Sequence, residues 1–156
     1  MNPLPSKPRG LYFEEFEPDQ EILTAGRTVT ETDIVQFAGL SGDFNQIHVD
    51  AEYSRKTIIG QRIAHGLLVA SIASGLAVQT GVLEGTVIVF REIAEWKFIK
   101  PVFANDTIHG VLRVKETKEM RRAGGGLVTI DFEVKNQHDE VVNRGVWIVL
   151  VAGRPA

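Results

Sequence analysis

From Ile63 to Leu83 the chain carries no Asp, Glu, Lys or Arg, and this uncharged run limits the possible folds more than any other feature. A helix that is apolar on every side has to be enclosed. The run is long enough to cross a bilayer. However, His65, Ser71, Ser74, Gln79, Thr80 and three glycines interrupt it, whereas a spanning segment is built mainly of Leu, Ile, Val and Phe. Ala64, Leu67, Leu68, Val69, Ala70, Ile72, Ala73, Leu76 and Ala77 cover all of its faces, and Gly81 supplies a stop. The expected element is one helix from Ile63 to about Thr80, wrapped by the rest of a globular domain.

The remaining sequence can supply such a wrapping. The 156 residues fit one core, which commonly organises about 100 to 200 residues. An apolar share of 44% with 24% charged residues is that of an ordinary packed protein. The expected organisation is a flexible arm over residues 1–10, where three prolines remove backbone donors and disfavour helix, followed by a single domain over 11–156. The arm has no apolar run of signal-peptide length, so the cytoplasm is the default location. A net charge of -3 offers little to a polyanion, so nucleic acid is not an expected partner. The absence of cysteine removes disulfides, thiolate metal sites and a thiol nucleophile together.

Before the uncharged run, Thr30 or Thr32 can cap a helix reaching about Leu40, with Glu31 and Asp33 in its first turn. Gly39 to Asp50 reads as an irregular loop, and Ala51 to Thr57 as a short helix that Gly60 ends. After the run the pattern becomes strand-like. TVIVFREIAEWKFIKP is dense in β-branched and aromatic residues and closes at Pro101. From Thr107 to Thr117, Ile108, Gly110, Leu112 and Val114 share one face, opposite His109, Arg113 and Lys115. Leu127 to Lys135 alternates most cleanly, with Val128, Ile130, Phe132 and Val134 facing in. Val141 to Val151 is largely apolar on both faces apart from Asn143 and Arg144, as in a central strand. KETKEMRR and the following AGGG read as a solvated loop, and His109 and His138 as surface residues. One buried helix followed by at least four strands predicts an α+β architecture, an antiparallel sheet curling around the helix.

Chemically capable side chains are densest in SGDFNQIHVD, which holds Asp43, Asn45, His48 and Asp50. Loops carry sites more often than strands do. The competing reading makes Asp43 and Asn45 turn residues bonded to their own backbone, and His48 a surface histidine. A calcium loop is excluded, because Ile47 stands where an oxygen ligand belongs and no glycine or closing glutamate follows at the required offsets. Asp50, His48 and His65 could also be imagined as metal ligands, but no cofactor and no metal are expected. A second feature, IAHGLL, places His65 and Gly66 at the helix start, where first-turn amides lack internal partners. A glycine there admits close approach of a ligand to a free N–H. It would equally permit tight packing of the helix on the sheet.

SGDFNQIHVDAEYSRKTIIGQRIAHGLLVASIAS resembles the signature of the MaoC-like dehydratase, or (R)-specific enoyl-CoA hydratase, family: G-D-x-N-P-[LIV]-H followed by a small-apolar-H-G-[ML] helix start. FIKPVFANDTIHG is similar to the family's P-V-x-x-G-D-T-[LI] strand through Pro101, Val102, Asp106, Thr107 and Ile108, with Asn105 replacing the usual glycine. Gln46 stands where proline is usual, which bears on loop stiffness more than on proton transfer. The resemblance implies the hotdog fold and the reversible hydration of a 2-enoyl-CoA to an (R)-3-hydroxyacyl-CoA. It implies Asp43 and His48 as the acid-base pair, the Gly66 amide in the oxyanion hole, and Asn45 orienting the site. His65 and Ser74 are further candidates for substrate binding, with helix packing the alternative for Ser71 and Ser74.

Elementary chemistry agrees with those roles. Water is a poor nucleophile toward C3 of an enoyl thioester, so hydration needs one group to take its proton and another to protonate C2. A carboxylate and an imidazole suit these tasks near neutral pH. The expected partners are an acyl-CoA or acyl carrier protein thioester and a second copy of the chain, since folds of this kind usually dimerise. A hotdog thioesterase and a noncatalytic acyl-CoA-binding module are the competing functions.

Overall fold

The computed structural model describes residues 10–155. The uncharged run does form the central helix, but over a shorter span than expected: α4 is Gly66–Gln79, and residues 63–65 precede it as extended chain. Those residues bond elsewhere, Ile63 N–H to the Ile47 carbonyl at 3.1 Å and Ala64 N–H to the Val102 carbonyl at 2.7 Å. An apolar pattern does not reveal such pairing, which is why the helix start reads three residues early. Leu68, Val69, Ile72, Ala73, Leu76 and Ala77 are buried, while Leu67 is 64% exposed, so one edge of α4 is not enclosed by its own chain.

The sheet around α4 is antiparallel throughout. Its strands are β1 (Glu21–Leu23), β2 (Arg27–Thr28), β3 (Val87–Phe98), β4 (Thr107–Met120), β5 (Gly125–Lys135) and β6 (Val141–Ala152). Their order is β1-β4-β5-β6-β3, with β2 also on β4. The predicted inward rows are the observed ones: Ile108, Leu112 and Val114 on β4 and Val128, Ile130, Phe132 and Val134 on β5 are at most 1% exposed. Each such side chain contributes roughly 1.5 to 3 kcal/mol by leaving water. Gly110 interrupts the β4 row because a Cβ there would lie 2.6 Å from the Phe132 ring. Trp147 on β6 sits edge-on to Phe90 at 4.8 Å and to Phe132 at 4.5 Å, an arrangement favoured by ring quadrupoles.

Several expectations need correction. KETKEMRR is not a solvated loop: β4 continues to Met120, and Lys118 and Met120 pair with Leu127 and Gly125. The turn is confined to a 3-10 segment at Arg121–Ala123 and to Gly124, whose φ of 69° suits glycine. The last residues of β4, from Lys115 to Met120, are exposed or half-buried on both faces, so the sequence shows none of the apolar alternation that marks a strand. Gly39 to Asp50 is likewise largely helical, with α1 at Glu31–Ser41 and α2 at Gln46–Val49, followed by α3 at Ala51–Arg55. Capping by individual side chains builds these short helices. The strands β1 and β2 escaped the sequence reading because they are too short to show a period. Of the expected arm, residues 1–9 lie outside the described residues; Gly10 is buried and donates its N–H to the Glu84 carbonyl at 2.7 Å.

Candidate functional site

The loop that carries the candidate residues is held by a succession of caps. Thr30 accepts from the Asp33 N–H at 3.1 Å, and Asp33 Oδ2 accepts in return from the Thr30 N–H at 2.8 Å. Burial pushes the Asp33 carboxyl up, but the Thr30 amide and hydroxyl and the Arg27 guanidinium outweigh it and hold the group below its ordinary value. At the other end of α1, Gly42 adopts φ 77° and closes the helix onto the Ala38 carbonyl. Asp43 then accepts from the Asn45 N–H at 3.2 Å, and Asn45 accepts from the Ile47 N–H at 3.3 Å, starting α2. Asp43 and Asn45 thus do bond their own backbone, as the turn reading required. Asp50 caps α3 by accepting from the Tyr53 N–H at 2.9 Å.

His48 is not a surface residue. It is 7% exposed, and His65 is 2% exposed. His48 Nδ1 lies 2.8 Å from the Ile63 carbonyl oxygen, and His65 Nε2 lies 2.9 Å from the Asp43 carbonyl oxygen. A carbonyl can only accept, so each of these nitrogens carries the proton. His48 therefore keeps Nε2 free for chemistry, and His65 keeps Nδ1, a buried atom with no partner. The two imidazoles stack with centroids 3.8 Å apart and planes inclined by 26°. Phe37 closes the far side of His65 at 5.0 Å.

One donor atom from each of Asp43, His48 and His65 lies within 4.8 Å of the others. Nitrogen lone pairs lie in the ring planes, and planes inclined by only 26° intersect far beyond coordination reach of both rings. The trio is therefore not arranged to grip one ion through both histidines. Asp50, the third ligand weighed in the sequence, is occupied as a helix cap.

A cavity of about 430 Å³ joins these groups to the start of α4. Its walls include Asp43, His48, His65, Gly66, Phe98 and Asn143. His65 caps α4 only by its backbone, with no side-chain hydrogen bond to the first turn, so the orphan amides of that turn remain for other partners. A Cβ on Gly66 would meet the Phe98 ring at 2.7 Å, so packing requires the glycine whatever its amide does. Ser74 lies elsewhere. It lines a second cavity of about 370 Å³ with Ser71, Phe90, Ile93, Trp96 and Trp147, and Leu67 borders both. Ser71 donates to the Leu67 carbonyl at 2.7 Å. Asn143 and Phe98 escaped the sequence reading as site residues, since each sits in a strand and its aim depends on register.

Known proteins resemble this chain over most of its length. The MaoC-like domain family matches residues 14–140. A protein named MaoC from Klebsiella aerogenes is 43% identical over 67% of this chain, although the match spans only 30% of that relative's length. An (R)-specific enoyl-CoA hydratase from Rhodospirillum rubrum is 36% identical over 66% of this chain and 69% of its own. Among solved structures, one described as a monoamine oxidase regulatory protein from Archaeoglobus fulgius superposes with a TM-score of 0.88 at 39% identity, covering 95% of this chain and 98% of its own. A conserved hypothetical protein from Mycobacterium tuberculosis with a double hotdog fold gives a TM-score of 0.82 at 16% identity, covering 94% of this chain and 45% of its own. The fold is a hotdog, as the sequence resemblance implied.

Proposed function

The chain belongs to the MaoC-like domain family, whose match covers most of its length, and from that premise we propose that it is a hydro-lyase interconverting a 2-enoyl thioester and an (R)-3-hydroxyacyl thioester. The observation that supports this reading is the meeting, in one cavity, of a carboxylate, an imidazole with a free Nε2 and the uncapped start of a buried helix.

In the hydration direction the enoyl thioester lies with its carbonyl oxygen toward the Gly66 amide and C3 toward a water held between Asp43 and His48. One of the pair removes a proton as the water oxygen bonds to C3, and the other group delivers a proton to C2. Both new bonds form on one face. The Nδ1–H bond of His48 to Ile63 fixes the ring so that Nε2 points to the chemistry. His65 holds the Asp43 backbone in place through its Nε2–H. Asn45 keeps the same turn in shape. Charge moving onto the thioester oxygen is met by the helix-start amide, and such donors are worth about 10² to 10³ in rate. The apolar cavity beside Ser74 takes the acyl chain. No step calls for a metal or cofactor.

The dimer expected from the family forms along β3. This edge strand exposes Val87, Ile88, Val89, Phe90, Ile93 and Phe98 at 40–55%, and a long apolar edge invites pairing with another copy. No described helix is long and apolar enough to cross a membrane.

Incubation with crotonyl-CoA is the decisive experiment. Loss of the enoyl absorbance without free thiol is expected. Release of free thiol would instead support the thioesterase, and tight binding without any reaction would support the noncatalytic module.

A further inference from the structure

Two buried asparagines treat their amides in opposite ways. Asn136 is fully partnered: its Nδ2 donates to Glu140 at 2.9 Å, and its Oδ1 accepts from the His138 N–H at 3.0 Å and the Glu140 N–H at 3.1 Å. Asn143 is 2% exposed, yet its Nδ2 has no partner among the described residues. Buried polar groups are ordinarily satisfied, and a lasting exception calls for a cause.

The cause lies in where Asn143 points. On β6 it is paired with Val134 of β5 and Phe98 of β3 and shares their face of the sheet. The Phe98 ring abuts Gly66 at the start of α4. Asn143, Phe98 and Gly66 therefore form one continuous strip of the wall of the 430 Å³ cavity that also holds Asp43 and His48. The cation in the same wall is already engaged, Lys100 Nζ being 2.5 Å from Glu140 Oε1. What remains is a neutral amide, held on a strand in the wall of a largely apolar space, whose buried Nδ2 is unpaired among the described residues. Its complement is a neutral acceptor oxygen.

Resting on the hydro-lyase reading for the identity of the ligand, we infer that Asn143 is a positioning residue whose Nδ2–H donates to a carbonyl oxygen of the bound thioester substrate. The substrate offers two carbonyl oxygens near its reacting end as acceptors, that of the thioester itself and that of the adjoining pantetheine amide. The 3-hydroxyl is not among them, because it forms between Asp43 and His48.

Binding tests this independently of turnover. The probes are butyryl-CoA, which is saturated and cannot be hydrated, and S-ethyl thiobutyrate, which keeps the thioester and lacks the pantetheine amides. Calorimetric titration of the full chain is expected to give about tenfold weaker butyryl-CoA binding for Asn143→Val, the loss of one neutral hydrogen bond. Asn143→Asp, nearly isosteric but presenting an acceptor, is expected to lose more. The valine variant should melt at or above the wild-type temperature, since Val134 and Phe98 surround the position with apolar groups. An equal loss with S-ethyl thiobutyrate assigns the bond to the thioester oxygen; a loss confined to butyryl-CoA assigns it to the pantetheine amide. The inference is overturned if both variants bind butyryl-CoA within twofold of wild type, or if wild type does not bind it. Wild-type protein that binds butyryl-CoA but leaves crotonyl-CoA unchanged would defeat the hydro-lyase reading alone, with the Asn143 assignment still decided by the binding arm.

Discussion

Along β5 from Val128 onward every second side chain is apolar and sealed, and the alternate ones are half-buried, where Asp131 pairs with Lys115 at 3.6 Å and Thr129 reaches Glu116 at 3.4 Å. At the start of α4 the pattern is reversed. His65 Nδ1 and Asn143 Nδ2 are buried without partners, a glycine leaves the backbone bare, and the carboxylate of Asp43 lies at the surface of a cavity. Matched groups stabilise the native state, whereas unmatched buried groups weaken it until something binds. The difference teaches that β5 is built to hold the fold whereas the cavity wall keeps unpaired polar groups, so on the proposed function changes in the two regions should register in different measurements.

The sharpest way to break that separation is to change Asp43 and His48. Asp43→Asn and His48→Ala should each lower hydration of crotonyl-CoA by about 10² to 10⁴, the usual contribution of a general acid or base; Asp43→Asn should leave the melting temperature nearly unchanged, whereas His48→Ala also removes a buried ring and its bond to Ile63 and should lower it. Full activity in both variants would falsify the assignment. Phe132→Ala should do the opposite, costing about 3 to 5 kcal/mol of stability because the ring is fully buried and packs against Trp147 and Trp96. Denaturant unfolding measures it, and a loss under about 1 kcal/mol would mean the β5 core is not the load the comparison makes it.

β3 lies between these extremes, an apolar strand that its own chain leaves uncovered. Val89→Lys puts a charge on that edge, and sedimentation should show the proposed dimer dissociating at a roughly tenfold lower dilution than wild type. An unaltered monomer-dimer balance would place the interface elsewhere. The smallest expected effect is at the cap of α1. Thr30→Ala should cost about 1 kcal/mol, and it should also remove part of the acid sensitivity. The Asp33 carboxyl is held below its ordinary value of 3.8, so its contribution is present above that value and is lost as pH falls through the lower folded-state value. Urea melts from neutral pH downward should therefore show wild type and variant converging in strong acid; parallel curves would remove Asp33 from the account.

Much of this could be read before any coordinates. The central helix, the inward rows of β4 and β5 and the helix cap at Thr30 are local patterns, and periodicity reports them faithfully. The two-part motif around Asp43, His48, His65 and Gly66 was equally legible, because residue types and spacing survive in one dimension. Elements whose surroundings are uniform were not. The end of β4 is wet on both faces and reads as loop; α2 is a single turn made by Asn45 and is invisible to any period. The site's far wall was also hidden, since Phe98 and Asn143 reach the cavity by strand register across β3 and β6; the sequence shows Asn143 as a polar residue in a largely apolar strand but not what it faces.

By itself, then, the sequence determined which segments must be buried and which side chains have the chemistry for proton transfer, because both follow from side-chain identity and local order. Only the tertiary structure decided that His48 donates to Ile63, that His65 stacks on it and steadies Asp43, and that Asn143 faces the same space as Gly66. Those relations join residues distant along the chain, and their geometry is fixed by how helix and sheet pack, which no local pattern encodes.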